Sequence, residues 1–490
     1  MKTKQLTRLL LGLSLLVLLG AICAKPPDIP AAPVGPSQGQ EGIAYACTTS
    51  TTDPGGSQVA YQFDWGDETQ SAWSGLVAGG TPYADTHTFT QSGQYSIRSR
   101  AKNEAGKASD WSEPLYVYIN PGEGELRWRF SYTYPDDPED SADFSLNTFG
   151  IGTDGAAYIG CEYGAAIRRS PTGARKWYPS PEEDEFYGTP SIGPDSTVYI
   201  GCANDSLYAL TPSMTRKWTA FVGDEVTCGA AIGNDGAIFV QNLSDSLFCI
   251  EPNGARRWRA WTGGGYSSPV IGPDGTVYAA SQEGWLYAFN PADGSPKGSY
   301  NLSSQQINSS PAIDVSRNVI YIADEEGRIA RVSLADMQAD WSVRIGFTPS
   351  SPVIGTDGTV FIGSGGKLYA LNPDDGGIAW SYEPPMTGTV SSPAVTQDGW
   401  VYALVTLGKK DYDFPDSLYA VDPGGTRRWA TALGEGSSDE VFSAPKLDED
   451  GNIHIASGLV AWCVRGISPP AQSSWPQFQH DPQNTGRARQ

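Results

Sequence analysis

A zinc site or a Ser-His-Asp triad needs histidine, and this chain has three: His87, His454 and His480, in widely separated regions. So few, so scattered, argue against His-based metal chemistry and against a triad. The cysteines include no CxxC and no adjacent pair, which removes zinc-ribbon, thioredoxin-like and haem-attachment patterns. Six of the seven, Cys47, Cys161, Cys202, Cys228, Cys249 and Cys463, follow the N-terminal leader. Cys161 and Cys202 both end the phrase YIGC; equivalent places in successive repeats lie beyond the ~7 Å reach of a disulfide, so buried free thiols are expected. Carboxylates are abundant, 55 against 33 Lys and Arg, and a paired-carboxylate hydrolase stays open on residue types alone. The stretch FDWGDETQS offers Asp64, Asp67 and Glu68 as calcium candidates. The competing reading is a turn whose Asp side chains cap backbone N–H groups.

Whatever these side chains do, bulk composition limits the partners. Net charge is −22, and −25 without Lys2, Lys4 and Arg8. Such a surface repels phosphate backbones, so nucleic acid is not expected. The opening MKTKQLTRLLLGLSLLVLLGAICA has a charged start, an apolar run from Leu9 to Leu19 and small residues ahead of Ala24. It reads as an export signal over residues 1–24, too short to span a membrane, and no other stretch could span one. Cys23 raises a lipoprotein reading, but Ile22 and Gly20 stand where a lipobox wants a small residue and Leu. A secreted, periplasmic or cell-surface location is expected.

Two regions follow. Residues 25–120 hold short period-two segments such as QVAYQFDWGD and GQYSIRSRAKNEAG, broken by turns. About seven such strands in this length predict a β-sandwich. From residue 121 to 487 one phrase recurs: SSPVIGPDGTVYAASQEGWLYAFNP at Ser267 returns as SSPVIGTDGTVFIGSGGKLYALNP at Ser350. The turn aspartates Asp154, Asp195, Asp235, Asp274, Asp357, Asp398 and Asp450 mark its copies, with a degenerate one near Ser316. Successive spacings of 41, 40, 39, 42, 41, 41 and 52 residues fit one four-stranded propeller blade per copy.

Each copy parses as an apolar strand, a tight Gly turn, an alternating strand, a second turn and a third strand stopped by Pro. The fourth strand carries an aromatic: Trp177, Trp218, Trp258, Tyr300, Trp341, Trp380 and Trp429, with Trp128 on a strand ahead of the first copy. One ring per repeat suits a packing plug between blades better than a sugar platform. Eight copies predict eight blades, seven being the alternative count. The eighth would be completed by the Trp128 strand or by the tail SSWPQFQHDPQNTGR with Trp475. The longest departures from the template, Tyr132–Phe144 and Lys409–Asp416, mix acidic and aromatic residues and could contact a partner.

The pattern SPxIGxDGTVYxGS…GxLYALNPxGxxxW resembles the PQQ-like β-propeller repeat family, and WPQFQHDPQNTG is similar to a segment that often accompanies those propellers. FDWGDETQS with HTFTQSGQYSIRSRAKNEAG resembles PKD domains, with Glu68 where Gly is usual, while ASDWSEPLYVYI has a fibronectin III character. The propeller resemblance implies one of two branches. Quinoprotein dehydrogenases hold pyrroloquinoline quinone over the channel, but their vicinal cysteines are lacking here. Non-catalytic scaffolds include the propeller lipoprotein of outer-membrane β-barrel assembly.

The expectation is therefore an all-β chain, an Ig-like or PKD-like sandwich before an eight-bladed propeller. It is expected to act as an exported, non-enzymatic scaffold binding a protein or cell-surface glycan through propeller loops. The alternatives are a divergent quinoprotein oxidoreductase, a carbohydrate-active enzyme, or an outer-membrane assembly propeller. No cofactor is assigned; calcium is the ion to test, and pyrroloquinoline quinone is disfavoured.

Overall fold

The computed structural model describes residues 25–36, 38–90, 93–120, 124, 126–131, 148–161, 165–170, 175–179, 184–348, 350–385, 388–406, 416–434, 443–457, 460–481 and 483–488. The expected leader with Cys23, the segment 132–144 and residues 409–415 lie outside the described residues. Every element named among them is a β-strand, and the chain divides into two compact units at Gly122 and Glu123.

The first unit forms because alternating segments bury one face each. Ala44–Thr49 alternates exposed and buried residues along its length and pairs antiparallel with Tyr83–Thr88. A four-stranded sheet holds Gln38–Gln40, Leu115–Asn120, Gly93–Asn103 and Val59–Asp64 in that order. Tyr45, Cys47, Phe63, Trp65, Phe89, Ile97, Val117 and Ile119 fill the core. Six strands are described in this unit, one short of the expected number. The reason lies in serine. Segments around Ser71–Ser74 and Ser109–Ser112 run along the sheet, but side chains replace part of the ladder. Ser71 Oγ accepts from Phe63 N, Ser74 Oγ from Tyr61 N, Ser109 Oγ from Ala101 N and Ser112 Oγ from Ser99 N.

The second unit is an array of sheets spanning 150–179, 191–221, 231–261, 270–301, 312–344, 353–382, 389–434 and 446–465. Each runs through its strands in chain order; the seventh has an additional short strand, Thr389–Val390. The last sheet is completed by Leu126–Ser131, whose Trp128 lies opposite Cys463 on Val460–Arg465. Trp128, rather than the Trp475 segment, therefore supplies the closing strand.

First strands of neighbouring sheets contact one another, so they sit at the hub. Here the repeated Ser-Ser acquires its reason. The N–H of Ser268 donates to Ser310 Oγ (2.9 Å), Ser310 N–H to Ser351 Oγ (2.8 Å) and Ser351 N–H to Ser392 Oγ (2.8 Å). Gly229 N–H donates to Ser268 Oγ at 3.0 Å, and Ala444 N–H to Thr148 Oγ1 at 3.0 Å. Each hydroxyl satisfies a buried donor of the neighbouring sheet, where water cannot reach.

At the outer strands the tryptophans do the corresponding work. Trp218, Trp258, Trp341 and Trp380 each donate Nε1–H to the carbonyl of a proline in the next sheet's third turn: Pro252, Pro291, Pro373 and Pro423. Their rings cover the glycine of that turn. A Cβ on Gly294 would fall 2.7 Å from the Trp258 ring, and on Gly425 2.9 Å from the Trp380 ring. Both glycines have positive φ, 71° and 86°, so two constraints select glycine.

Antiparallel order then defines two faces. The first and third turns of every sheet emerge on one side. The second turns and the loops between sheets emerge on the other.

Candidate functional site

The turn aspartates lie on the first face and are occupied. Asp195 and Asp274 each accept from the backbone N–H and hydroxyl two residues on, at 2.7–3.0 Å. Asp357 does the same with Thr359, while Asp154 and Asp235 cap Ala156 N and Ala237 N. Lysine or arginine from the strands then pairs with four of them: Arg168–Asp154, Lys217–Asp195, Arg257–Asp235 and Lys297–Asp274. Two markers do not share the arrangement. In the turn holding Asp398, Trp400 N–H is taken by Thr396 Oγ1 instead. In the turn holding Asp450, the capping carboxylate is Asp448, which accepts from Asp450 N and Asn452 N. The capping group has moved two residues upstream, a shift that spacing by the G-x-D-G phrase overlooks.

Trp177 lies opposite Ile167 on its strand, and Trp429 packs on Gly124 as its counterparts pack on their glycines. In the first unit, Asp64 accepts from Gly66 N (3.1 Å). Asp67 accepts from Thr69 N and Oγ1 and pairs with His87 Nε2 at 2.6 Å. Glu68 adopts φ 68°. Among the described residues, no group of three or more His, Cys, Asp or Glu is arranged to hold a metal ion. The six described cysteines are buried and unbridged.

The C-terminal segment crosses the hub. Its carbonyls accept the N–H groups of Ile192, Ile232, Ile271, Ile354 and Val395, from Gln483, Thr485, Gly486, Trp475 and Pro476 respectively. Its side chains complete the set: Ser474 Oγ accepts from Val315 N, Gln477 Oε1 from Leu447 N, and Asn484 Nδ2–H donates to Phe149 O and Pro190 O. All eight sheets are thus tied to one strap, with Trp475 fully enclosed. The strap meets the first strands at their turn-side ends, on the first face.

Beneath it Lys446 is wholly buried, its Nζ donating to Phe478 O at 2.5 Å. Burial pulls its pKa down to about 7 against the opposing pull of Asp481. His454, also buried, lies 3.0 Å from Asp448. Burial opposes its charge, but Cys463 and Asp448 outweigh that and push it up to about 10.

The second face differs in kind. Phe221 is 70% exposed, Trp261 56%, Tyr266 48% and Phe347 61%. Phe221 and Trp261 end the fourth strands of successive sheets, opposite Ser206 and Ser246. Trp261 meets the edge of Tyr287, which stacks with Trp285. Phe347 borders a shallow cavity of about 180 Å³ lined by Ser364, Gly365, Gly366 and Thr389. Beside Phe221 gather Glu185, Asp205, Asp224 and Glu225; burial and the three neighbouring carboxylates raise the Glu225 carboxyl. The repeat phrase does not mark these aromatics, although Phe221 and Trp261 each lie three residues beyond a plug tryptophan.

Residues 244–406 match the family PQQ_2, described as outer membrane protein assembly factor BamB, and residues 31–114 match the PKD domain family. The crystal structure of BamB from Moraxella catarrhalis superposes with TM-score 0.57 at 16% identity, over 70% of this chain and 99% of that one. The C-terminal WD40 domain of Sif2 gives 0.55 at 10% identity, over 70% and 99%. Identities this low establish the fold alone. The serine/threonine-protein kinase AfsK of Streptomyces griseus is 26% identical over 196 residues, 38% of this chain but only 23% of that protein. A PKD domain followed by a PQQ-type, BamB-like propeller is what the chain carries.

Proposed function

We propose that this protein is an extracytoplasmic, non-enzymatic propeller that binds a protein partner on its second face, with each of the eight sheets serving as one blade. The observation that carries the reading is the set of exposed aromatics on that face. Phe221, Trp261, Tyr266 and Phe347 are exposed at strand ends and loops on the side away from the strap, Phe347 beside a cavity, and large exposed rings are what interaction sites present. The described turn carboxylates, by contrast, serve backbone caps and ion pairs, which supports scaffold over catalyst. Likeness to BamB suggests outer-membrane assembly as the narrower role.

The test compares the full chain with its Phe221→Ala/Trp261→Ala/Phe347→Ala variant as baits in envelope extract, after circular dichroism confirms equal folding. A protein retained by the first and lost by the second is expected. Retention on neither, together with saturable calorimetric binding of pyrroloquinoline quinone with calcium, would replace the reading with an oxidoreductase.

A further inference from the structure

We infer that the occupant of the second face is a cationic polypeptide segment, in which lysine or arginine flanks apolar side chains, docking along Phe221, Trp261 and Tyr266. This rests on the protein-binding reading above and names the chemistry of its partner.

The argument begins with the rings. Phe221, Trp261 and Tyr266 come from adjoining sheets and are about half exposed or more. Each leaves apolar ring surface in water on the second face, too open to be explained as core.

Charge then chooses among apolar partners. Glu185 lies in the loop entering the second sheet and Asp205 in that sheet's second turn. Asp224 and Glu225 lie in the loop that follows, directly after the strand ending in Phe221. Backbone bonds from Ala203 N to Glu185 O and from Val222 N to Asp205 O draw these segments together, and the other three carboxylates act on Glu225. Among the described residues none of them is in an ion pair, whereas on the opposite face Asp195, Asp235 and Asp274 each have their own lysine or arginine.

On the second face itself Asp245 and Glu326 are paired with Arg259 and Arg344, so the group around Glu225 is left unneutralised beside the exposed ring of Phe221. Repulsion within the group costs energy in the free protein, and a cation brought by a partner relieves it. An acidic or nucleic-acid partner would add to that repulsion. A metal ion would satisfy the carboxylates but leave the rings open to water; a polypeptide with both side-chain types satisfies both.

The probe is a fluorescein-labelled peptide alternating lysine and phenylalanine, titrated by anisotropy into the full-length protein. Its counterpart with glutamate for lysine is titrated in parallel. Saturable binding of the lysine peptide alone is expected, weakening as salt screens the charges. The Asp224→Asn/Glu225→Gln variant should bind roughly tenfold more weakly, and Phe221→Ala likewise. Asp357→Asn on the other face should leave affinity unchanged. Thermal unfolding checks that each variant is folded; removing mutual repulsion should not destabilise Asp224→Asn/Glu225→Gln. Equal affinity for both peptides overturns the inference, as does undiminished binding by that variant. If envelope baiting captures a protein that Phe221→Ala/Trp261→Ala/Phe347→Ala loses but Asp224→Asn/Glu225→Gln keeps, the cationic partner falls while protein binding stands.

Discussion

The backbone N–H of Ser310 donates to the hydroxyl of Ser351, one repeat further along the chain, at 2.8 Å. Both residues are buried, so no water replaces a lost partner. Ser351→Ala should strand the Ser310 N–H and cost about 1–3 kcal/mol. Urea unfolding, compared with the exposed control Ser213→Ala, measures it; a cost no larger than the control's would mean the hydroxyl belt is incidental.

Trp258 is the most buried of the plug tryptophans whose exposure is described, and it lies on Gly294 of the next sheet. Trp258→Ala should cost about 3–5 kcal/mol by opening a cavity. Gly294→Ala should cost at least ~1 kcal/mol, since it combines positive φ with a collision against the ring. Chemical denaturation of each variant gives the values, and a tolerated Gly294→Ala would contradict the tight stacking.

The strap predicts a shared dependence. Ending the chain after Gly466 removes the acceptors of Ile192, Ile232, Ile271, Ile354 and Val395 together. Buried N–H groups on five sheets would then lack partners, each costing about 1–3 kcal/mol. The truncated chain should therefore lose its cooperative calorimetric transition. Trp475→Ala should lower that transition without abolishing it.

Lys446 gives a pH signature. Its folded pKa is depressed to about 7 from 10.5, so between those values the unfolded chain binds a proton that the folded chain does not. Its burial thus lowers stability as pH falls through that window, and the loss is complete below about 7. Lys446→Met should remove this slope, gaining most near neutral pH and least near the ordinary lysine pKa. The gain is at most on the order of 5 kcal/mol, offset by loss of the bond to Phe478 O. Stability measured across that range decides it; identical slopes in the two proteins would place the titration elsewhere.

Glu68 holds a left-handed conformation, φ 68°, at the position where the PKD pattern has glycine. Glu68→Gly should stabilise the sandwich by about 0.5–1 kcal/mol by relieving backbone strain. A calorimetric scan of the full chain should show its transition raised, and an unmoved or lowered transition counts against strain at this turn.

Much of the fold was legible because its signals are local. A period near 41 residues, the capped Asp turn and the fourth-strand aromatic each depend on neighbours a few residues away, so Asp195, Asp274 and Trp258 could be placed from sequence alone. Contacts between repeats carry no such marker. Nothing in the phrase SSP says that one hydroxyl serves the next sheet, nor that Asp448 rather than Asp450 caps the last turn. The choice of Trp128 to complete the final sheet, and the path of the tail across eight first strands, depend on closing a chain of several hundred residues on itself. The candidate face was legible least of all. Phe221, Trp261 and Phe347 look like core aromatics in a sequence rich in them, and only the antiparallel order of the sheets leaves them in water, Phe221 just ahead of Asp224 and Glu225.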